Sequence, residues 1–191
     1  MAKKVEEELD FLKMAGTKFL VEIVENKSLN LEEENSIESK NYFPNGFEKA
    51  IFKASLNKNN FDEITKIASG GELSRFMLAL KVALMNVNSV PTIIFDEIDT
   101  GISGSTSDAV GKRLKTLSQN AQILVVTHQP QIASKADSHL KISKSEIAEK
   151  VKTKIEILDK NSKINEIARM LSGEEISHEA ISASKKLLAE K

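Results

Sequence analysis

Three short runs in this 191-residue chain carry side chains whose types and spacing suit joint chemistry. The first is Ser69-Gly70-Gly71-Glu72, opening an apolar, helix-like stretch. Ser69 and Glu72 stand at capping-box spacing, so hydroxyl and carboxylate can satisfy backbone donors at a helix start. Two glycines let a ligand approach the backbone, and a helix N-terminus offers free N–H groups to an anion. A capped helix after a glycine turn would carry the same letters. The second run is Ile93-Ile94-Phe95-Asp96-Glu97, a strand delivering two adjacent carboxylates at its C-terminal end, where α/β sheets bind ligands. Successive strand residues point to opposite faces, so Glu97 joins Asp96 in one site only if the chain turns there. Asp-Glu also occurs at strand ends as a plain turn. The third run is Thr127-His128, after the apolar segment Ile123 to Val126. A histidine titrates near neutrality and can hydrogen-bond a phosphate or a water, although a lone one at a strand end is often ordinary structure.

The elements that would position these groups follow from periodicity. Leu73, Met77, Leu80 and Leu84 predict a helix from 72 to about 86. Ile93 to Phe95 and Ile123 to Val126 are continuous apolar runs, as expected of fully buried strands, near 92–96 and 122–127. Val110, Leu114 and Leu117 mark a helix near 107–118 between them, and strand, helix, strand is the grammar of a parallel α/β sheet. Upstream, residues 18–24 and 49–56 alternate as strands do. The segment from Asn26 to Gly46, rich in Asn, Glu and Ser and holding Pro44-Asn45-Gly46, reads as loop or partly disordered. Downstream, Pro130 suits the start of a short helix to about Lys135. A hairpin follows at 140–143 and 151–158, with Val151, Thr153, Ile155 and Ile157 on one face, and helices near 163–171 and 177–190 close the chain. At the other end, Val5, Leu9 and Leu12 fall on one face of a helix at 3–14. It is either a short surface helix or the stump of a coiled-coil arm, and the run is too short to decide.

Order, spacing and flanks of these runs resemble the ATP-binding-cassette and SMC class of ATPases. Within it, Ser69-Gly70-Gly71-Glu72-Leu73-Ser74-Arg75 and Asp96-Glu97-Ile98-Asp99-Thr100-Gly101-Ile102-Ser103-Gly104 are most similar to the C-terminal part of the bacterial DNA repair RecN family. The likeness covers nearly the whole chain, including Gln129-Pro130-Gln131-Ile132-Ala133 and the run Ile164 to Gly173. It departs from the commoner L-S-G-G-Q motif by having Ala68 and Glu72 at the ends, in the RecN manner. The resemblance implies an α/β fold: the C-terminal half of a P-loop head, a parallel sheet flanked by helices. Residues 1–15 would be the end of a coiled-coil arm and 16–191 the head portion. It implies ATP and Mg²⁺ as cofactors. Ser69, Gly70, Gly71 and Glu72 would contact the γ-phosphate bound by an opposite subunit. Asp96 would hold the metal, Glu97 would activate the attacking water, Asp99, in the loop at the dimer seam, would join the residues that bind the nucleotide, and His128 would sense the γ-phosphate. The implied partners are an N-terminal half or a second head, and DNA through the complete assembly.

One part is absent from the sequence: no G-x-x-x-x-G-K-[ST] loop occurs. Gly111-Lys112 imitates its end, but Arg113 follows, Thr106 stands where a glycine is needed, and the dipeptide lies inside a periodic helix. The expectation is therefore a chain that completes an ATP site only with a separate half, from a split gene or a shortened reading frame. A non-catalytic interaction module, or part of another SMC or ABC protein, is the competing reading. Composition adds little: 40% hydrophobic and 29% charged residues fit an ordinary globular protein, and a net charge of −1 gives no electrostatic footprint for DNA. No cysteine occurs, no spacing suggests a structural metal, His139 and His178 lack motif context, and the charged start fits a cytoplasmic protein without a membrane span.

Overall fold

The computed structural model describes residues 1–25, 46, 48–56, 60–84, 90–147 and 150–190. Helix α1 (Ala2–Phe11) opens the chain. Its stripe, Val5 and Leu9, with Leu12 just beyond, is fully buried, so the helix is part of the core. The chain then reverses through Lys13, held at a left-handed φ of 62°. It enters β1 (Lys18–Glu25), which pairs antiparallel with β2 (Glu48–Ser55) from Lys18↔Ser55 to Glu25↔Glu48. A two-residue β3 (Asp62–Glu63) adds to β2, and a single turn, α2 (Ile64–Ile67), leads to the first candidate run. Residues 26–45, expected as loop, lie outside the described residues.

Helix α3 (Gly70–Ala83) is the central support. It buries Phe76, Leu78, Ala79, Leu80 and Val82, and Phe19 meets Phe76 edge-on at 5.3 Å between centroids. The expected stripe is thus displaced: Met77 is exposed, while Phe76 takes the centre. The helix packs on α1 as well as α4, so more than one of its sides is covered.

Strand β4 (Thr92–Phe95) runs parallel to β5 (Gln122–Val125), joined by α4 (Gly104–Leu117), in the register Thr92↔Gln122 to Phe95↔Val125. Helix α5 (Pro130–Lys135) packs on α4 at Gly111, where an added Cβ would meet the Gln131 carbonyl at 3.2 Å and Ile132 Cα at 3.3 Å. That contact explains the glycine of the false phosphate-loop dipeptide. A hairpin, β6 (Leu140–Ile147) and β7 (Lys150–Ile157), and two helices, α6 (Lys160–Ser172) and α7 (His178–Ala189), complete the order. The elements fall where periodicity put them, but the burial differs.

Two apolar faces lie open. Alternation along β4 and β5 sends Phe95, Ile93, Ile123 and Val125 toward the core and leaves Ile94, Leu124 and Val126 in solvent, Ile94 at 67% exposure. The expectation of strands buried on both faces is corrected accordingly: among the described residues nothing covers the second face. The hairpin is turned inside out. Leu140 pairs with Ile157 and Ile142 with Ile155 across the strands, and all four are exposed. The intervening Lys141 instead reaches inward to Glu166 of α6, 2.6 Å away. Among the described residues no helix is long and apolar enough to cross a membrane.

Candidate functional site

The start of α3 forms the capping box that its letters predict. The Glu72 N–H donates to Ser69 Oγ at 3.4 Å, and the Ser69 N–H donates to Glu72 Oε2 at 2.8 Å. That backbone bond, with help from the Ser69 side chain, holds the Glu72 carboxyl below its usual range. The two glycines have separate jobs. Gly70 is exposed, and an added Cβ there would meet nothing within 4 Å, so the helix end stays open to a ligand. Gly71 is buried, and a Cβ there would fall 2.1 Å from the Thr100 carbonyl oxygen. The missing side chain is what lets the helix start lie flat against the loop after β4.

That loop carries the second run. Asp96 and Glu97 are both exposed immediately past β4. Glu97 adopts a φ of 55°, a region that side-chain-bearing residues rarely occupy. The chain therefore turns at Glu97, and strand alternation ends there. Strain of this kind persists where the surroundings impose it, and it clusters at functional sites. Here the Thr100 N–H donates to the Glu97 carbonyl at 3.1 Å, closing the turn around Ile98, which is fully buried.

The parallel register brings the third run to the same edge. Phe95 lies opposite Val125, and the Val126 N–H donates to the Phe95 carbonyl at 3.0 Å, so Asp96 and Thr127 leave adjacent strand ends. Asp99 ties the two exits together. Its Oδ2 accepts from the Thr127 hydroxyl at 2.5 Å and from the His128 N–H at 2.8 Å, and it lies 3.1 Å from His128 Nδ1. Asp99 is 2% exposed, whereas the His128 side chain is 72% exposed. The Asp99 carboxylate is thus occupied inside the protein, while the imidazole above it faces out.

Ser69, Gly70, Gly71 and Glu72 therefore stand beside the loop of Asp96, Glu97 and Asp99, and that loop is bonded to His128. Two contributors carry no signal in the sequence: the Thr100 carbonyl that seats Gly71, and Thr127 as partner of Asp99. Arg75, one turn into α3, is half-buried, and burial lowers the proton affinity of its guanidinium. His139 is half-buried, and His178 begins α7 exposed, both away from these runs.

Donor chemistry decides which ion fits. Among the described residues no group of three or more His, Cys, Asp or Glu side chains could hold a metal. Asp96 could bind a divalent cation only together with waters and ligand oxygens, which is how Mg²⁺ is commonly bound beside phosphates. A helix N-terminus left open, as at Gly70, is the kind of position at which anions bind.

Residues 13–151 match the family model described as the RecF/RecN/SMC N terminal domain. The chain belongs to that family. Among its RecF/RecN/SMC relatives, the DNA repair protein RecN of Rickettsia bellii (strain RML369-C) is 45% identical over 192 residues, covering 97% of this chain and 35% of the relative. RecN of Halalkalibacterium halodurans is 36% identical over 189 residues, covering 98% and 32%. The chain spans about a third of the length of these curated relatives. Solved SMC heads share the fold. The Smc head domain with a coiled coil and joint from Pyrococcus yayanosii superposes with a TM-score of 0.60 at 19% identity, covering 90% of this chain and 29% of that one. A chain from work on ATP-driven dimerization and DNA-stimulated activation of SMC ATPases gives 0.52 at 19% identity, covering 91% and 92%.

Proposed function

We propose that this chain is the C-terminal portion of a RecN-type ATPase head acting in DNA double-strand break repair. The observation that carries the reading is the convergence of three runs: the capped start of α3, the Asp96-Glu97 turn and His128 meet around one loop. They do so in a chain closely similar to proteins named for DNA repair. Mg²⁺ and ATP would supply the charge compensation and the transferable phosphoryl group. Asp96 would hold the metal from the strand exit, and Glu97, turned out by its backbone, would take the proton of the attacking water. His128 would face the γ-phosphate and that water. Ser69, Gly70, Gly71 and Glu72 would present the helix start to a phosphate held by an opposite subunit, with the Asp99 loop at the seam.

The cradle for the β- and γ-phosphates would come from another polypeptide segment, the rest of the head. The open faces of β4–β5 and of the hairpin give such a segment an apolar surface to cover, and exposed patches of this kind mark interaction sites. Residues 1–15 would be the foot of a coiled-coil arm, seated through Val5, Leu9 and Leu12. DNA would be engaged by the complete assembly.

The test supplies the remaining part of the Rickettsia bellii relative as a second polypeptide. Alone, the chain should bind ATP negligibly, because positioning of the phosphates is missing. In the complex, Glu97→Gln should slow hydrolysis by about 10²-fold while sparing ATP binding, the scale of losing a general base. Ser69→Arg should leave ATP binding intact yet prevent ATP-driven pairing of heads, which Glu97→Gln should accumulate. Hydrolysis at the unmutated rate by both variants would refute the composite site.

A further inference from the structure

Nothing in the order of the motifs says why a fully buried carboxylate sits under an exposed histidine. Asp99 Oδ2 gathers three groups at once: the Thr127 hydroxyl, the His128 backbone N–H and His128 Nδ1. Asp99 is deeply enclosed, and its Oδ2 is taken up by these contacts inside the protein. We infer that Asp99 is a positioning residue for His128, fixing the direction and the tautomer of its imidazole. The inference rests on His128 belonging to the proposed site.

Two contacts lie on opposite sides of the ring, and one of them decides the tautomer. A carboxylate oxygen at 3.1 Å from Nδ1 is an acceptor, so Nδ1 carries the proton. On the far side, Gln129 Nε2 lies 3.3 Å from His128 Nε2. The Gln129 carboxamide carries both a donor and an acceptor, so by a flip it can pair with either state of Nε2. The Asp99 contact selects the Nδ1–H form of the neutral ring, and the hydrogen bond at one ring nitrogen sets what the other can do. In that form Nε2, on the side of the ring away from Asp99, carries the lone pair. The Thr127 hydroxyl reinforces the arrangement by accepting from the Gln129 N–H at 3.0 Å while donating to Asp99. The backbone of 127–129 and the ring of His128 are therefore held by one buried group contributed by the neighbouring strand exit.

The test has a spectroscopic arm and a kinetic arm. In the full chain labelled with ¹⁵N-histidine, imidazole spectra at pH 8 should show His128 as the Nδ1–H tautomer. Asp99→Ala should move it toward Nε2–H. Should that variant fail to fold, Asp99→Asn keeps a neutral acceptor and should produce a smaller shift in the same direction. An Nε2–H signal in the unmutated chain, or no change in a folded variant, would overturn the inference. In the reconstituted complex, Asp99→Asn should lower kcat by about 10-fold or more, the scale of losing a partner that orients an imidazole, with KM for ATP little changed. Placed in a His128→Ala background, the same substitution should add nothing, because Asp99 acts through the ring. A full additional loss there would make Asp99 merely structural and sink the inference. If His128→Ala itself left hydrolysis unchanged, the assignment of His128 to the site would fail, and the kinetic role of Asp99 with it. The tautomer spectra would then still judge the geometry on their own.

Discussion

Gly71→Ala is the sharpest perturbation the molecule offers. A Cβ at this position would lie 2.1 Å from the Thr100 carbonyl oxygen and 3.2 Å from its carbon. Ordinary carbon–oxygen contacts begin at about 3.3 Å, so the carbonyl must withdraw by roughly 1 Å. It cannot move alone, because Thr100 is bonded back to Glu97 and follows Asp99, which is anchored under Thr127 and His128. Overpacking of this kind costs about 1–3 kcal/mol, and the better helix propensity of alanine returns at most about 1 kcal/mol. The net loss should be about 1–2 kcal/mol, or a fall in Tm of about 2–8 °C for a chain of this length. Gly70→Ala is the internal control: it adds the same methyl one residue earlier, meets nothing within 4 Å, and should be neutral or slightly stabilising. Thermal denaturation of the two variants compares them directly. Amide spectra should show Thr127 and His128 shifting in Gly71→Ala and not in Gly70→Ala. Equal stability of the two variants would refute the claim that the helix start and the Asp99 loop are locked together.

Ser69→Ala should destabilise the chain by about 0.5–2 kcal/mol in urea titrations, since the capping hydroxyl serves the Glu72 N–H. Burial, followed by the charge of Lys163, holds the His139 imidazole below its ordinary value of 6.5. The unfolded chain therefore binds that proton more readily, and the stability tied to neutral His139 is present above about pH 6.5 and lost as the pH falls below it. His139→Gln should flatten this slope between pH 7 and about pH 5 in denaturation midpoints. Replacing the exposed pair Ile142 and Ile155 by lysine should make the isolated chain more monodisperse in light scattering and weaken its association with the complementary part of the head. Unchanged association would show that the hairpin face is not covered by that partner.

Local chemistry was legible in the sequence wherever the interaction was short-range. Ser69 and Glu72 are three residues apart on one turn, and their reciprocal bonds follow from that spacing alone. The two apolar runs found their strands, and the carboxylates their strand exit. What stayed hidden were pairings set by the tertiary fold: Asp99 with Thr127, 28 positions away, and the Thr100 carbonyl against Gly71. Neither a backbone carbonyl nor a threonine announces such a partner. The expectation that Ile94 and Leu124 are buried failed for a different reason. Apolar patterning tells which faces are suited to burial, and a face with no neighbour in the described chain stays open however apolar it is. Met77 failed for yet another: a helix covered on several sides does not keep its buried residues to a single stripe.

The inside-out hairpin leaves part of the chain's stability open to whatever covers it. Leu140, Ile142, Ile155 and Ile157 face water while Lys141 is turned inward to Glu166, so the hairpin's apolar side chains gain little burial from folding alone. Any partner that binds only the folded form adds stability that grows with the logarithm of its free concentration. Were the hairpin covered by a separate protein, the fraction of this chain that is folded and protected from proteolysis would follow the abundance of that partner.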